Sequence, residues 1–201
     1  MPTKPGGYFL ADGTRVPSVT TVLGRFKESG GLIHWAWELG KEGKDYRQVR
    51  DAAADAGTLA HDLVERWINH QPLSVEGPAD VVEKAKMAFS AFLEWANQTQ
   101  LKVTHTELAL VSEVHRFGGT LDAMLVNGRR SLGDWKSSNA VYSDYLCQLA
   151  AYGILWEEHH PDEPIDGGYH LARFSKNEGD FEHRWFGDLS DARQMFLLLK
   201  D

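Results

Sequence analysis

Three side chains between residues 118 and 136 could together carry out chemistry. Asp122 follows the run Gly-Gly-Thr-Leu, and Asp134 and Lys136 stand twelve and fourteen positions later in the run Gly-Asp-Trp-Lys-Ser-Ser. Carboxylates that lie close together repel each other unless a cation sits between them. Carboxylate oxygens are ligands that Mg²⁺ and Mn²⁺ prefer, and a nearby lysine adds positive charge beside an attacking water. This combination suits the cleavage of a phosphodiester.

The two aspartates are predicted to lie on paired strands joined by a turn at Asn127-Gly128. With a three-residue loop Asp122 faces Asp134 directly, whereas a loop of two or four residues moves it one position out of register. Asp122 interrupts an apolar run, where a carboxylate is costly unless it is paired or binds metal. Pairing with a buried arginine, or a solvated strand end, is the alternative explanation. Lys136 shares a strand face with Asp134, because side chains alternate along a strand.

Four polar residues that follow the lysine are candidates for supporting roles. Ser137 and Ser138 are small hydroxyl donors suited to phosphate oxygens. Gln148 and Tyr152 are four residues apart on a predicted helix and therefore share one of its faces. Gln148 can orient the site or a DNA phosphate with Tyr152 supporting it, or the two can form a polar patch at the edge of a buried helix.

Three residues on the N-terminal side are weaker candidates. His61 stands one position off the apolar stripe of a predicted helix, and Glu65 lies one turn further along the same face. Imidazole suits Mn²⁺ better than Mg²⁺, although a lone histidine there is more often structural. Glu65 is a hydrogen-bond partner for that histidine or the partner of a surface base. Glu107 begins the strand before that of Asp122, as an outer ligand or as a strand-end charge.

Length and composition set the class of the protein. At 201 residues with 42% hydrophobic residues, the chain is the size of one soluble globular domain. Its net charge of −8 at pH 7 argues against broad adhesion to nucleic acid, although bound metal reverses the charge of an acidic site locally. Cys147 is the single cysteine, which excludes an internal disulfide and a thiolate-held iron–sulfur or structural zinc site. We expect a cytoplasmic protein, bacterial or in a phage-infected host, because membrane-helix and signal-peptide patterns are missing.

Periodicity and turn signals predict an α/β fold of mixed α+β character, with a central mixed sheet flanked by helices. In chain order we expect a hairpin (7–16), a short helix capped by Ser18, a helix carrying Trp35 and Trp37, helices at 55–70 and 80–97, strands at 104–115, 119–126 and 131–136, a helix at 143–158, a hairpin within 169–186 and a last helix capped by Ser190. The charged stretch 41–50 reads as a mobile surface segment. Residues 1–201 are expected to form a single domain, with 1–50 as an N-terminal decoration of hairpin plus helices and 55–200 as the core.

Four short motifs follow one another along the chain, and together they resemble the PD-(D/E)XK nuclease superfamily, in particular its RecB-like exonucleases from bacteria and phages. The motifs are Gly57-Thr58-x-x-His61, Gly119-Thr120-Leu121-Asp122, Asp134-Trp135-Lys136 and Gln148-x-x-x-Tyr152. Each motif is unspecific alone, but four in order on the expected elements are much more specific. The resemblance implies a restriction-endonuclease-like core and metal-dependent hydrolysis of DNA phosphodiesters.

Positions that match the motifs inherit expected roles from this resemblance. The implied ligands of Mg²⁺ or Mn²⁺ are His61, Asp122, Asp134 and the backbone carbonyl of Trp135. Lys136 would position or deprotonate the attacking water and stabilise the developing charge, and Gln148 would help to orient the site. Trp135 or Tyr142 could stack on unpaired bases. Several members of this group hold an iron–sulfur cluster on four cysteines, and we expect none here because the chain has only one.

The expected substrate is DNA, as an end-bearing duplex or a single strand, in replication, recombination or repair. A recombination or replication protein is a candidate partner, an oligomer is compatible with the sequence, and residues 1–50 could gate or grip a DNA end. Three alternatives stay open: an endonuclease on the same fold, a catalytically inactive relative that binds DNA or protein, and a partner module without a nucleic-acid role. The intact acidic cluster argues against the last two, because its members repel each other.

Overall fold

The computed structural model describes residues 6–26, 30–100, 102–138, 140–174 and 181–201, with the side chains of residues 32 and 51–55 excepted. The elements are β1 (Tyr8–Phe9), β2 (Arg15–Val16), α1 (Val19–Gly24), α2 (Gly30–Lys41), α3 (Tyr46–Ile68), α4 (Ala79–Thr99), β3 (Val103–Ser112), β4 (Phe117–Val126), β5 (Arg130–Ser137), α5 (Ser143–His159), β6 (Gly168–Phe174), β7 (Phe181–Phe186) and α6 (Ser190–Lys200). The predicted order of helices and strands and the mixed α/β class are confirmed.

A five-stranded mixed sheet in the order β3-β4-β5-β6-β7 forms the centre of the fold. The strands β5 and β6 run parallel, and α5 makes the crossover between them. The other neighbouring strands pair antiparallel, as expected where short turns join them. Because β4 and β5 are inner strands, residues on them lie among packed side chains and can be held rigidly.

Helices cover both faces of the sheet. One core cluster joins the sheet to α1, α5 and α6, with Leu121, Leu149 and Trp156 fully buried in it. The other core cluster joins the sheet to α3 and α4 around Phe92, which contacts the ring of Trp135 edge-on at 5.4 Å between centroids. Trp135 is only 3% exposed, so it is a core residue and the expectation that it stacks on bases is wrong.

The N-terminal hairpin packs against β4 through a glycine. A Cβ atom on Gly118 would lie 2.3 Å from Cγ of Tyr8, so only glycine lets the Tyr8 ring approach the strand this closely. The N–H of Gly118 donates to the Pro17 carbonyl at 3.0 Å, and Ser18 forms an isolated parallel bridge with Gly118. The hydroxyls of Tyr8 and Thr120 are hydrogen-bonded at 2.8 Å. Residues 7–18 are therefore an integral wall of the fold.

Two local details differ from what the sequence predicts. The segment 41–50 lies at the surface as predicted, but it is partly helical, because α3 begins at Tyr46, where the Asp45 side chain accepts the Arg47 N–H and caps the helix. Ser190 is the first residue of α6 rather than its cap, and the Asp188 carboxylate accepts the Ser190 N–H at 3.0 Å. Ser18 does cap α1 as predicted, through the Thr21 N–H. Among the described helices, none combines the length and apolarity that a membrane crossing requires.

Candidate active site

A fork between β4 and β5 creates the site. The loop between these strands has three residues, since Val126 pairs with Arg130, and the backbone ladder runs back to the pair Ala123 and Gly133. One step further, where Asp122 is level with Asp134, the Asp122 carboxylate accepts the Trp135 N–H at 2.7 Å. The Asp122 side chain thus takes the place of a β4 backbone carbonyl as the acceptor of the Trp135 N–H, and β4 and β5 are no longer paired beyond this point.

The same hydrogen bond orients the Trp135 backbone. In a strand, the N–H and C=O of one residue point to the same edge. Because the Trp135 N–H faces Asp122 on β4, we expect the Trp135 carbonyl on that side as well. The predicted role of this carbonyl as a ligand is therefore compatible with the backbone direction of β5.

Asp134 and Lys136 form a buried ion pair on the α5 side of the sheet. Asp134 has no exposed surface, and the Lys136 side chain is 16% exposed. Burial raises the pKa of Asp134, against the opposing effect of Lys136 and with a further rise from Asp122, to about 7. Burial alone would lower the pKa of Lys136, but Asp134 and Asp122 outweigh it and raise this pKa. Lys136 is therefore a fixed positive charge.

A second group of side chains meets at the fork. His61 from α3, Glu107 from β3 and Asp122 from β4 each offer one ligand atom, and these atoms lie within 4.8 Å of one another. Glu107 has a φ of +47°, a left-handed conformation that is rare for a residue with a side chain. Such strain is typical of functional sites, and here it falls on the strand position level with Asp122.

A cavity of about 320 Å³ opens onto these groups. Its walls come from the N-terminal segment, α3, β3, β4, β5 and α5, and include Tyr8, Ser18, Thr20, His61, Glu107, Asp122, Lys136, Gln148 and Tyr152. A larger groove of about 710 Å³ runs along α4 and is lined by none of these residues. The position of the charged groups, and not cavity size, therefore marks the site.

Gln148 and Tyr152 of α5 line this cavity together. The Gln148 side-chain amide donates to the Tyr152 hydroxyl at 2.7 Å, so one turn of helix holds the amide in place. Burial raises the pKa of Tyr152 well above its ordinary value, and the group stays a neutral phenol. Gly119 makes room for this arrangement, because a Cβ there would lie 2.7 Å from the Tyr152 ring.

The remaining predicted residues fall into two groups. Glu65 and Trp135 border a small recess that adjoins the cavity and is also lined by His61 and Asp122. Ser137 and Ser138 are not among the cavity residues, and the Ser138 hydroxyl donates to the Ala140 carbonyl at 2.8 Å. The structure thus brings together the acidic, histidine and lysine candidates and leaves the serine pair aside.

Four cavity residues of the N-terminal segment were not among the site candidates predicted from the sequence. Tyr8, Ser18, Val19 and Thr20 are more than a hundred residues from the acidic motif and join it through the packing of the hairpin on β4. The signal that was present is the pair Gly118-Gly119, since adjacent glycines in a buried strand indicate a close approach by other groups.

The fold thus has helices on both faces of a mixed sheet, and clustered carboxylates and a lysine lie where two inner strands separate. The family model of the PD-(D/E)XK nuclease superfamily matches residues 5–195. The chain belongs to this superfamily. The match includes the N-terminal hairpin, which lies against the site.

Solved structures that match this chain have low sequence identity to it. A structure of a candidate exonuclease from Eubacterium rectale has a TM-score of 0.51 at 11% identity, with 71% of this chain and 64% of that chain covered. An alkaline exonuclease from Laribacter hongkongensis has a TM-score of 0.36 at 14% identity, with 73% and 83% covered. This chain therefore spans less than two thirds of the Eubacterium protein. A comparison with curated proteins gave no match.

Proposed function

We propose that this protein is a metal-dependent deoxyribonuclease that hydrolyses phosphodiester bonds, and that it acts as an exonuclease. The observation that carries the proposal is the arrangement of charges at the fork. A fully buried carboxylate is paired with a lysine, and a histidine and two further carboxylates converge beside it. Membership of the PD-(D/E)XK nuclease superfamily supports the same activity.

The residues present fit a divalent cation. Beyond the ion pair with Lys136, neither Asp134 oxygen has a hydrogen-bond donor among the described residues. Burying an ionised carboxylate without such donors costs free energy, and a nearby cation stabilises it. His61, Glu107 and Asp122 supply one imidazole and two carboxylates, a donor set that suits Mn²⁺ and, through its oxygens, Mg²⁺. We propose that these three residues and Asp134 hold the ion, with the Trp135 carbonyl as a further ligand.

The residues of the site then have distinct roles in the proposed reaction. A bound divalent ion polarises a phosphoryl oxygen and makes a water more acidic. Asp134 and Asp122 raise the pKa of Lys136 in the metal-free site, and we propose that its ammonium orients the attacking water and stabilises the negative charge that develops on the phosphate. Gln148, held by Tyr152, presents its amide to the substrate phosphate from α5.

Two observations support an exonuclease in particular. The Eubacterium rectale structure is that of a candidate exonuclease, and the cavity is walled on several sides, which suits a strand end. The proposed setting is DNA replication, recombination or repair in the cytoplasm of a bacterium or of a phage-infected host. Glu65 is proposed to support His61 from the same helix.

End-labelled linear DNA and closed circular DNA test this proposal in Mg²⁺, in Mn²⁺ and in EDTA. We expect degradation of linear DNA that requires metal, and loss of activity in Asp134→Ala and Lys136→Ala. Lys84→Ala, which removes an exposed lysine of α4, should behave as the wild type. Circular dichroism of each variant shows whether it is folded.

The outcomes separate the competing assignments. Cleavage of closed circular DNA would make the protein an endonuclease. Activity in EDTA, or full activity in the folded Asp134→Ala variant, would remove the metal site as assigned. DNA binding without cleavage in every metal would favour a catalytically inactive relative.

A further inference from the structure

A second cavity, of about 510 Å³, lies on the other side of Tyr8 from the candidate active site. It is lined by Gly6, Gly7, Tyr8, Arg15, Val16, Pro17, Ser18, Thr21 and Arg25. Tyr8 and Ser18 also line the first cavity, so the two cavities share a wall. We call this second space the arginine pocket.

The charge of the arginine pocket differs from that of the whole chain. The chain carries a net charge of −8, yet the pocket lining contains two arginines and no carboxylate. Both arginines are exposed, and neither forms an ion pair with a carboxylate of the described residues. Two guanidinium groups in one concave space, with no carboxylate partner among the described residues, favour an anion, since each can form paired hydrogen bonds with a phosphate.

Packing limits the freedom of the pocket walls. A Cβ atom on Gly7 would lie 3.2 Å from Nε of Arg15, so that guanidinium rests against the glycine backbone. On the opposite wall, the Ser18 hydroxyl is hydrogen-bonded to the Thr21 hydroxyl at 2.8 Å and accepts the Thr21 N–H. Tyr8 is fixed by its hydrogen bond to Thr120 and by its contact with Gly118. The pocket is therefore largely preformed.

We propose that the arginine pocket binds a phosphate of the DNA strand whose neighbouring phosphodiester lies in the active site. This inference rests on the proposed nuclease function and adds to it the group that positions the strand. Arg15 and Arg25 contact the phosphate oxygens, and Tyr8 separates the held phosphate from Lys136. The chemistry is that of a phosphate group, which can be either the terminal monoester of a strand end or an internal diester.

Binding measurements under conditions without cleavage test this pocket. Fluorescence anisotropy in Ca²⁺ follows short single strands that carry a 5′-phosphate, a 5′-hydroxyl or no end at all, the last as a circle. We expect Arg15→Ala and Arg25→Ala each to weaken binding about 5- to 20-fold. The slope of log affinity against log salt should fall by about 0.7 for the phosphate contact that is lost. Arg25→Lys should recover only part of the affinity, because lysine lacks the planar fork.

Arg129→Ala is the matched control, because Arg129 is an exposed arginine in the turn between β4 and β5. It should change affinity less than twofold. A loss confined to the 5′-phosphorylated strand would assign the pocket to a terminal phosphate, and an equal loss on all three strands would assign it to an internal one. If both alanine variants had the affinity and the salt slope of the wild type, the assignment of the arginine pocket as a phosphate site would be wrong.

This test is independent of catalysis. If the wild type cleaves DNA while the two alanine variants bind as the wild type does, the pocket assignment fails and the nuclease stands. If binding depends on the two arginines but cleavage occurs in no metal, the nuclease assignment fails and the phosphate pocket stands. Absence of DNA binding by the wild type would overturn the pocket as a DNA site.

Discussion

The substitution Lys136→Met tests what the buried ion pair contributes to stability and what Lys136 contributes to DNA cleavage. Asp134 has no exposed surface and the Lys136 side chain is 16% exposed, so methionine leaves a carboxylate without its cation. An unpaired buried charge costs about 3–5 kcal/mol. Protonation limits this loss, because burial already raises the pKa of Asp134 to about 7, so that neutralising the carboxylate near pH 8 costs on the order of 1 kcal/mol. With the lost contacts of the ammonium, we expect a destabilisation of about 2 kcal/mol.

Thermal unfolding at pH 8 without divalent metal measures this quantity. For a domain of this size, 2 kcal/mol corresponds to a fall in Tm of about 4–8 °C. The double variant Asp134→Asn/Lys136→Met removes both charges and should recover at least half of that loss. Both variants should cleave DNA at least about 100-fold more slowly than the wild type, since the positive charge at the reacting phosphate is gone. Lys84→Met, on the exposed face of α4, is the control.

Two results would refute this reasoning. If Lys136→Met had the wild-type Tm and the double variant were no more stable than the single one, the pair would not be a buried, interdependent ion pair. If Lys136→Met cleaved DNA at the wild-type rate, Lys136 would be structural and the proposed catalytic role would be wrong.

Three further predictions concern the site and the sheet. Gly119→Ala should lower the free energy of unfolding by about 1–3 kcal/mol and reduce cleavage, because the new methyl would lie 2.7 Å from a ring that lines the cavity. Gly40→Ala, in helix α2 with open space around it, should not destabilise the protein and should leave cleavage unchanged in the same assays. Glu107→Gln should weaken Mn²⁺ binding, measured by calorimetry, about 10-fold or more, and an unchanged affinity would remove Glu107 from the ligand set. Burial and the neighbouring His183 lower the pKa of His170 to about 4, so the unfolded chain takes up this proton near pH 6.5 and the folded chain near pH 4. As the pH is lowered from 6.5 to 4, the free energy of unfolding should therefore fall by on the order of 1–2 kcal/mol, allowing for solvent screening. His170→Gln should make this fall smaller, as measured by urea titrations.

The sequence was sufficient for the sheet and its helices because period and turn chemistry are local signals. The residues Asn127-Gly128 predict the hairpin, but they are compatible with a loop of two, three or four residues. Only the structure shows that three residues bring Asp122 level with Asp134. The strand register depends on packing across the whole sheet, which no short motif encodes.

Long-range contacts explain what sequence reasoning left out. The sequence pattern places Glu107 at the start of a strand, whereas it lies inside β3 in a left-handed conformation next to Asp122. Tyr8 reaches the site, and Arg15 reaches the adjoining arginine pocket, through a hairpin that packs on Gly118 of β4. The turn patterns of residues 7–16 predict the hairpin itself but not the surface against which it lies.

The central claim is that a divalent cation binds at the fork between β4 and β5. Anomalous diffraction from crystals soaked in Mn²⁺ tests it most directly, because the signal locates the metal without assumptions about the ligands. We predict an anomalous peak within coordination distance of Glu107, Asp122 and Asp134, with His61 as a further ligand. A map without a peak at this position, with the three carboxylates directed away from one another, would contradict the claim.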